Sequence, residues 1–303
     1  MLNKWLANAL PYMPKKLIWI FSKRYIAGET IEDGLNASRE LNRQGIEVTV
    51  DLLGEFISTI EQAEENKNQY LEIIDRFTAE GISGNFSLKP TMFGLLIDKN
   101  ICYQNIEAIV RKAVEKNTFI RIDMEDSQCV NDEIEVYRKL QQKYPAHVGL
   151  VIQAYLRRTK DDLVSLSEIP VNSSPLNFRL CKGIYIEPKH IAFKEFDEVR
   201  EHYLDDLKYM LDHNMYVGIA THDKYLVDQA MKMINDRHLD KTKYEFQMLY
   251  GVTPELRTSI VSQGHRMRVY VPFGKDWFGY STRRLKENPK VASHIIKALF
   301  FRG

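Results

Sequence analysis

Eight short apolar runs, each followed by a stretch of helical period, constrain this chain more than any other feature. The runs are "IEVTVDLLGE" (46–55), "GNFSLKP" (84–90), "TFIRIDME" (118–125), "HVGLVIQAYL" (147–156), "LNFRLCKGIY" (176–185), "MYVGIATHD" (215–223), "YEFQMLYG" (244–251) and "MRVYVPFG" (267–274). Between them, segments such as "TIEQAEENKNQYLEIIDRF" and "DEVREHYLDDLKYMLDHN" carry apolar residues at three- and four-residue spacing, the pattern of an amphipathic helix. Strand–helix alternation repeated eight times predicts a closed parallel (βα)8 barrel of the α/β class. The 303 residues suffice for one such barrel, and no Pro/Ser-rich or low-complexity tract divides them. The expected organisation is an N-terminal helical segment over 1–40 and the barrel, with a C-terminal helix, over 41–303.

Charge and cysteine content narrow the function classes. Lys+Arg (42) balances Asp+Glu (41), so no global basic field attracts nucleic acid. Cys102, Cys129 and Cys181 form no CxxC pair and are odd in number, which predicts neither a disulfide framework nor a zinc site and fits a reducing, cytoplasmic setting. No run of 18 apolar residues is present, so no transmembrane helix is expected. The N-terminal "KKLIWIFSKRY" lacks a cleavage-like small-residue site and is not a secretory signal. It reads either as an amphipathic helix at the inner face of a membrane or as one docked on its own domain.

Active sites of (βα)8 barrels lie at the C-terminal ends of the strands. Here those ends carry Glu55, Lys89, Asp123, Gln153, Arg179, Lys182, Tyr185, His222, Gln247 and Tyr270. Polar or ionisable groups at all eight ends predict a catalytic mouth. After the last strand, Tyr280, Arg283, Arg284 and Glu287 share one helix face by their i, i+3, i+4, i+7 spacing. That face is either solvated, with an Arg283–Glu287 pair, or a guanidinium clamp for a carboxylate or phosphate. Bulky Trp277 and Phe278 crowd the preceding "PFGKDWFGY", which favours a small carboxylate under an aromatic lid over a phosphate. Asp123 and Glu125 alternate onto one face and could in principle share a metal, yet no ligand-spacing motif accompanies them; cationic partners such as Lys89 or Arg121 are the expectation, and no metal. His222 reads as a general base or as a hydrogen-bond donor to backbone or cofactor. Cys181 reads as buried packing. Dinucleotide glycine fingerprints and P-loops are lacking.

Ordered motifs along the chain go further. "SLKPTMFGL", "RIDME", "QAYLRRT", "RLCKGIY", "ATHD", "EFQMLYGV", "MRVYVPFGKDW" and "YSTRRL" fall on the predicted strand ends and the final helix. On these residues the chain resembles the proline dehydrogenase family over nearly its whole length, from about residue 24 to 289. The resemblance implies a distorted flavin-binding barrel, non-covalent FAD, and oxidation of L-proline to Δ1-pyrroline-5-carboxylate. It implies that Arg283 and Arg284, with Lys89, clamp the proline carboxylate, and that Tyr185, Leu249, Tyr270 and Tyr280 wall the ring. Asp123 would organise this pocket, and Arg179 would stand near the flavin N5. Met124, Gln153, Lys182, Gly183, Ile184, Thr221, His222 and Glu287 would be further FAD contacts. Cys181 and Ile184 depart from the family's usual Val and Ala, and "FKEFDEVREHY" is shorter than its usual counterpart. With no aldehyde-dehydrogenase motifs following, the resemblance is to monofunctional members. Such members hand electrons to membrane quinone and product to a separate pyrroline-5-carboxylate dehydrogenase, and bind no nucleic acid. Another flavin barrel using a nicotinamide, or a binding barrel that has lost its flavin, are the rival readings.

Overall fold

In the computed structural model, which describes residues 18–19, 22–171 and 174–287 (283–287 by backbone alone), eight parallel strands close into one barrel in sequence order. The strands are β1 (Glu47–Leu52), β2 (Gly84–Leu88), β3 (Ile120–Ile122), β4 (Val148–Gln153), β5 (Asn177–Cys181), β6 (Tyr216–Ala220), β7 (Tyr244–Leu249) and β8 (Met267–Phe273). Closure comes from β8 pairing with β1 in parallel register, Thr49 opposite Tyr270 and Leu52 opposite Phe273. Helix α1 (Ile31–Arg43) precedes β1. The helices α2 (Ile60–Ala79), α3 (Lys99–Glu115), α4 (Val130–Lys143), α5 (Thr159–Ser167), α6 (Phe196–Asp212), α7 (Lys224–Asp236) and α8 (Pro254–Ser262) follow β1 to β7 in turn, and α9 (Trp277–Glu287) follows β8. The fold is therefore the expected (βα)8 barrel. Among the described residues, no helix is long and apolar enough to cross a membrane.

Strand alternation sorts residues into two shells. Val48, Val50, Phe86, Leu88, Ile120, Ile122, Phe178, Leu180, Val217, Ile219, Phe246 and Met248 are buried in the apolar core between strands and helices. Each such side chain contributes roughly 1.5–3 kcal/mol on burial. Their neighbours Thr49, Asp51, Asn85, Ser87, Arg179, Glu245, Gln247 and Arg268 are also buried, but bond to one another or, for Asp51, to Lys89. The interior is thus a polar column rather than the usual layers of branched apolar residues. It survives because its charges are paired and most of its polar atoms are bonded.

Several strands are shorter than their apolar runs. β2 ends at Leu88, so Lys89 opens a 3-10 turn (Pro90–Phe93). β3 spans only three residues, leaving Asp123 and Glu125 beyond it. Glu55 and Tyr185 likewise lie past the ends of β1 and β5. Loops therefore start early and carry the mouth's side chains.

At the other end of the chain, Ile18 is buried with Tyr25, Ile26, Leu53, Trp277 and Tyr280, and the Trp19 and Trp277 ring centroids are 4.7 Å apart. Where it is described, then, the N-terminal segment docks on α9. Trp5, Leu6, Leu10, Leu17 and Phe21, with Lys4, Lys15 and Lys16, lie outside the described residues.

Candidate active site

A cavity of about 540 Å³ opens over the C-terminal ends of the strands. Its floor is an ion network that begins on β1. Asp51 is fully buried and accepts from Lys89 Nζ at 2.8 Å. Lys89 also donates to the Tyr270 hydroxyl at 3.1 Å and stands 3.5 Å from Asp123 Oδ2. The Tyr270 hydroxyl itself donates to Asp123 Oδ2 at 2.9 Å. Asp123 Oδ1 accepts from Arg179 Nη1 at 3.0 Å and from Ser87 Oγ at 2.5 Å. Two carboxylates thus face two cations, and this set of four carries no net charge.

Burial and pairing divide the carboxylates. Burial pushes Asp51 up to about 6, with the nearby Asp123 charge adding to it and Lys89 only partly opposing. Asp123 goes the other way: burial would raise it, but Lys89, Arg179 and the hydroxyls of Ser87 and Tyr270 hold it below the usual carboxylate range. Burial would lower Lys89, yet Asp51, Tyr270 and Asp123 outweigh it and keep the ammonium charged. The Tyr270 hydroxyl is driven far up by burial and both carboxylates, so it stays a donor.

Most residues singled out in the sequence converge on this cavity. Lys89, Asp123, Met124, Gln153, Arg179, Lys182, Gly183, Ile184, Tyr185, Thr221, His222, Leu249, Tyr270 and Tyr280 all line it. Gln153 donates to the carbonyls of Met124 and Glu125 at 3.2 and 2.8 Å. Lys182 donates to Asp223 at 2.7 Å, and Arg200 forks onto the same carboxylate at 2.8 and 2.9 Å. Partial burial would raise Asp223, but its bonds to Arg200 and Lys182 hold it at about 2. At Gly183 φ is +101° and an added Cβ would stand 2.1 Å from the Tyr155 ring, so only glycine brings the backbone this close. Helix α9 meets the mouth through Tyr280, while Trp277 packs beside it with Ile18 and Leu53 and its Nε1 donates to Glu29 at 2.7 Å. Arg283, Arg284 and Glu287 belong to α9 by backbone; their side chains lie outside the described residues.

Cys181, Glu125 and Arg121 depart from expectation. Cys181 is only half-buried: it packs against the apolar core and also lines the cavity, because β5 ends there. His222 Nε2 accepts from the Leu249 N–H at 2.8 Å, which leaves Nδ1 as the ring's donor. Among the described residues Glu125 has no cationic partner at bonding distance; both its oxygens take bonds from Thr91, at 2.9 and 2.6 Å. Arg121 sits at the opposite end of the barrel, bonded to Leu150 and Asn177. Among the described residues, no three His, Cys, Asp or Glu side chains converge as metal ligands would.

Asp51 is the residue that sequence reasoning missed. The first strand's polar end was placed at Glu55, but the side chain level with Lys89 is Asp51. A signal existed: Thr49 and Asp51 alternate with Val48, Val50 and Leu52, marking an inward polar face.

Comparison with known proteins agrees with these features. The family model described as "Proline dehydrogenase" matches residues 34–297. Proline dehydrogenase 2 of Bacillus subtilis (strain 168) is 35% identical over 276 residues, 91% of this chain and 89% of that protein. The proline dehydrogenase of Deinococcus radiodurans is 33% identical over 291 residues, 95% of this chain and 92% of its own length. Among solved structures, proline utilization A (PutA) from Bdellovibrio bacteriovorus, inactivated by N-propargylglycine, superposes with a TM-score of 0.83 at 26% identity. That match covers 92% of this chain, which spans 34% of the length of the PutA chain.

Proposed function

The chain belongs to the proline dehydrogenase family, oxidoreductases acting on the CH–NH group of proline, and from that premise we propose how this site works. It binds FAD non-covalently and oxidises L-proline to Δ1-pyrroline-5-carboxylate. Residues 1–40 form an N-terminal segment, and 41–303 the barrel with its covering helix. One observation carries the reading: Lys89 and Arg179, held by Asp51 and Asp123, form a charged floor beneath a pocket walled by Tyr185, Leu249, Tyr270 and Tyr280.

The residues present fit a flavin dinucleotide. Buried Arg179 and partly exposed Lys182 both line the cavity, and Gly183 brings its backbone there with no side chain, close against Tyr155. Met124, Gln153, Ile184, Thr221, His222 and, from α9, Glu287 complete the cofactor's surroundings. FAD, when bound, supplies the hydride acceptor.

The chain's own residues do the rest. Lys89 anchors the substrate carboxylate together with Arg283 and Arg284, fixing C5 in one orientation. These cations disfavour an ammonium nearby, which favours the neutral amine whose lone pair expels hydride. Arg179 stabilises the negative charge that builds at the acceptor. Trp277 and Tyr280 exclude water from above. Electrons pass on to a membrane quinone, and the product to a pyrroline-5-carboxylate dehydrogenase. The protein acts in the cytoplasm or peripherally at the inner face of the membrane. Anaerobic addition of L-proline to the purified yellow protein should bleach its flavin band, and acid precipitation should release FAD. A flavin that proline leaves oxidised, or a colourless protein, would refute the proposal.

A further inference from the structure

Gln247 lies two residues beyond Glu245 on the inward face of β7, and both ends of its amide are held. Its Nε2 donates to Glu245 Oε1 at 2.6 Å, and its Oε1 accepts from Arg179 Nε at 2.6 Å. Glu245 can only accept here. Burial alone would raise it, but the Arg268 guanidinium, with Gln247 and Arg266, holds the carboxyl at about 2. An inverted amide would set NH2 against the Arg179 N–H and its carbonyl against the carboxylate. Two bonds would become two repulsions, so one orientation is imposed.

The surroundings are shaped for this arrangement. Gly218 on β6 faces the amide, and a Cβ there would stand 2.3 Å from Gln247 Nε2. Glu245 is itself locked by Arg268, whose Nε donates to it at 2.7 Å while Nη1 bonds the Val48 carbonyl at 2.9 Å. With Nε fixed, the planar Arg179 fork brings Nη1 to Asp123 Oδ1 at 3.0 Å and to Ser87 Oγ at 3.3 Å. The direction of the guanidinium at the mouth is thus transmitted from an ion pair deeper in the barrel.

We infer that Glu245 and Gln247 are positioning residues for Arg179, setting from within the barrel the orientation of the guanidinium that lines the cavity. The inference rests on the reading that Arg179 stabilises the charge arising at the flavin. Gln247→Met removes both bonds at similar length and leaves Glu245 on Arg268. Gly218→Ala displaces the same amide while keeping every partner. Each holoenzyme, with Arg179→Lys as reference, is assayed for kcat and KM with proline, for the midpoint potential of its bound flavin, and for melting temperature.

A misaligned guanidinium should lower kcat about ten- to hundredfold, with KM for proline within about twofold. The midpoint potential should shift negative in the same direction as in Arg179→Lys. The idea is overturned if Gln247→Met and Gly218→Ala keep the parental kcat and potential while Arg179→Lys loses both. It is equally overturned if only the melting temperature falls. Should Gln247→Met not fold, Gly218→Ala decides alone. If Arg179→Lys itself leaves kcat and potential unchanged, the role given to Arg179 is wrong and the relay falls with it.

Discussion

Asp51→Asn separates two views of the buried ion pair beneath the pocket. If the Asp51–Lys89 contact simply stabilises the fold, removing one charge should cost about 3–5 kcal/mol, the usual penalty for orphaning a buried partner. The position of Asp51 argues for the reverse. Its carboxyl rises from an ordinary 3.8 to about 6 on folding. The folded state therefore holds the proton more tightly than the unfolded chain, and stability is lost as pH climbs from about 4 through 6. A rise of about two pH units at about 1.4 kcal/mol per unit gives roughly 3 kcal/mol lost by pH 8. Asparagine mimics the protonated acid and has no such loss. Measured by urea unfolding, the variant's stability relative to the parent should thus improve by roughly 3 kcal/mol between pH 4 and pH 8, whatever fixed cost the amide carries. Turnover should move oppositely, because Lys89 loses the partner 2.8 Å away that holds it and the floor gains a net positive charge. A stability difference that stays flat with pH, or grows against the variant, would show that the Asp51 charge supports the fold.

Other perturbations test neighbouring parts. Arg284→Lys keeps the charge but not the fork, so kcat/KM for proline should fall by about 2–3 kcal/mol in transition-state terms with flavin content little changed; unaltered kinetics would remove α9 from the clamp. Gly183→Ala must place a Cβ against the Tyr155 ring at positive φ, and should lower the flavin-to-protein ratio while far-UV circular dichroism persists; full flavin loading would refute this. Deleting residues 1–20 removes Ile18 and Trp19 from beneath Trp277 and Tyr280, so activity with a soluble dye and with membrane quinone should fall together. Loss of the quinone activity alone, with vesicle binding abolished, would instead favour a membrane role for this segment.

Much of the barrel was legible because strand and helix periods are local properties of the chain. Two-residue alternation in "EVTVDL", "GNFSL", "YEFQML" and "MRVYV" separates one apolar face from one polar face before any pairing is known. The motifs at the strand ends picked out Lys89, Asp123, Arg179 and Tyr270, which do meet across the mouth. Alternation, however, marks a face and not a height. Asp51 and Glu55 share a parity on the first run, and local pattern cannot say which stands level with Lys89. The Val48–Gly84 and Glu47–Arg268 registers decide it, and those exist only once β2 has paired with β1 and β8 has closed onto it.

The same limit explains the other differences. His222 was recognisable as a strand-end histidine, but its role as acceptor depends on the Leu249 N–H coming from the adjacent strand. The sequence pattern around Cys181 is equally compatible with packing; it meets the cavity because β5 stops there. The carboxyl of Asp51 is shifted upward by burial away from water and by the nearness in space of Asp123, 72 positions away in sequence. What the chain alone determined was which residues lie on the polar face and which on the apolar one, since that follows from bonding geometry between adjacent residues. Which of those polar groups touch, which proton each holds, and which way the Gln247 amide points were decided by barrel closure, because only closure brings charges from distant strands within bonding distance and away from solvent.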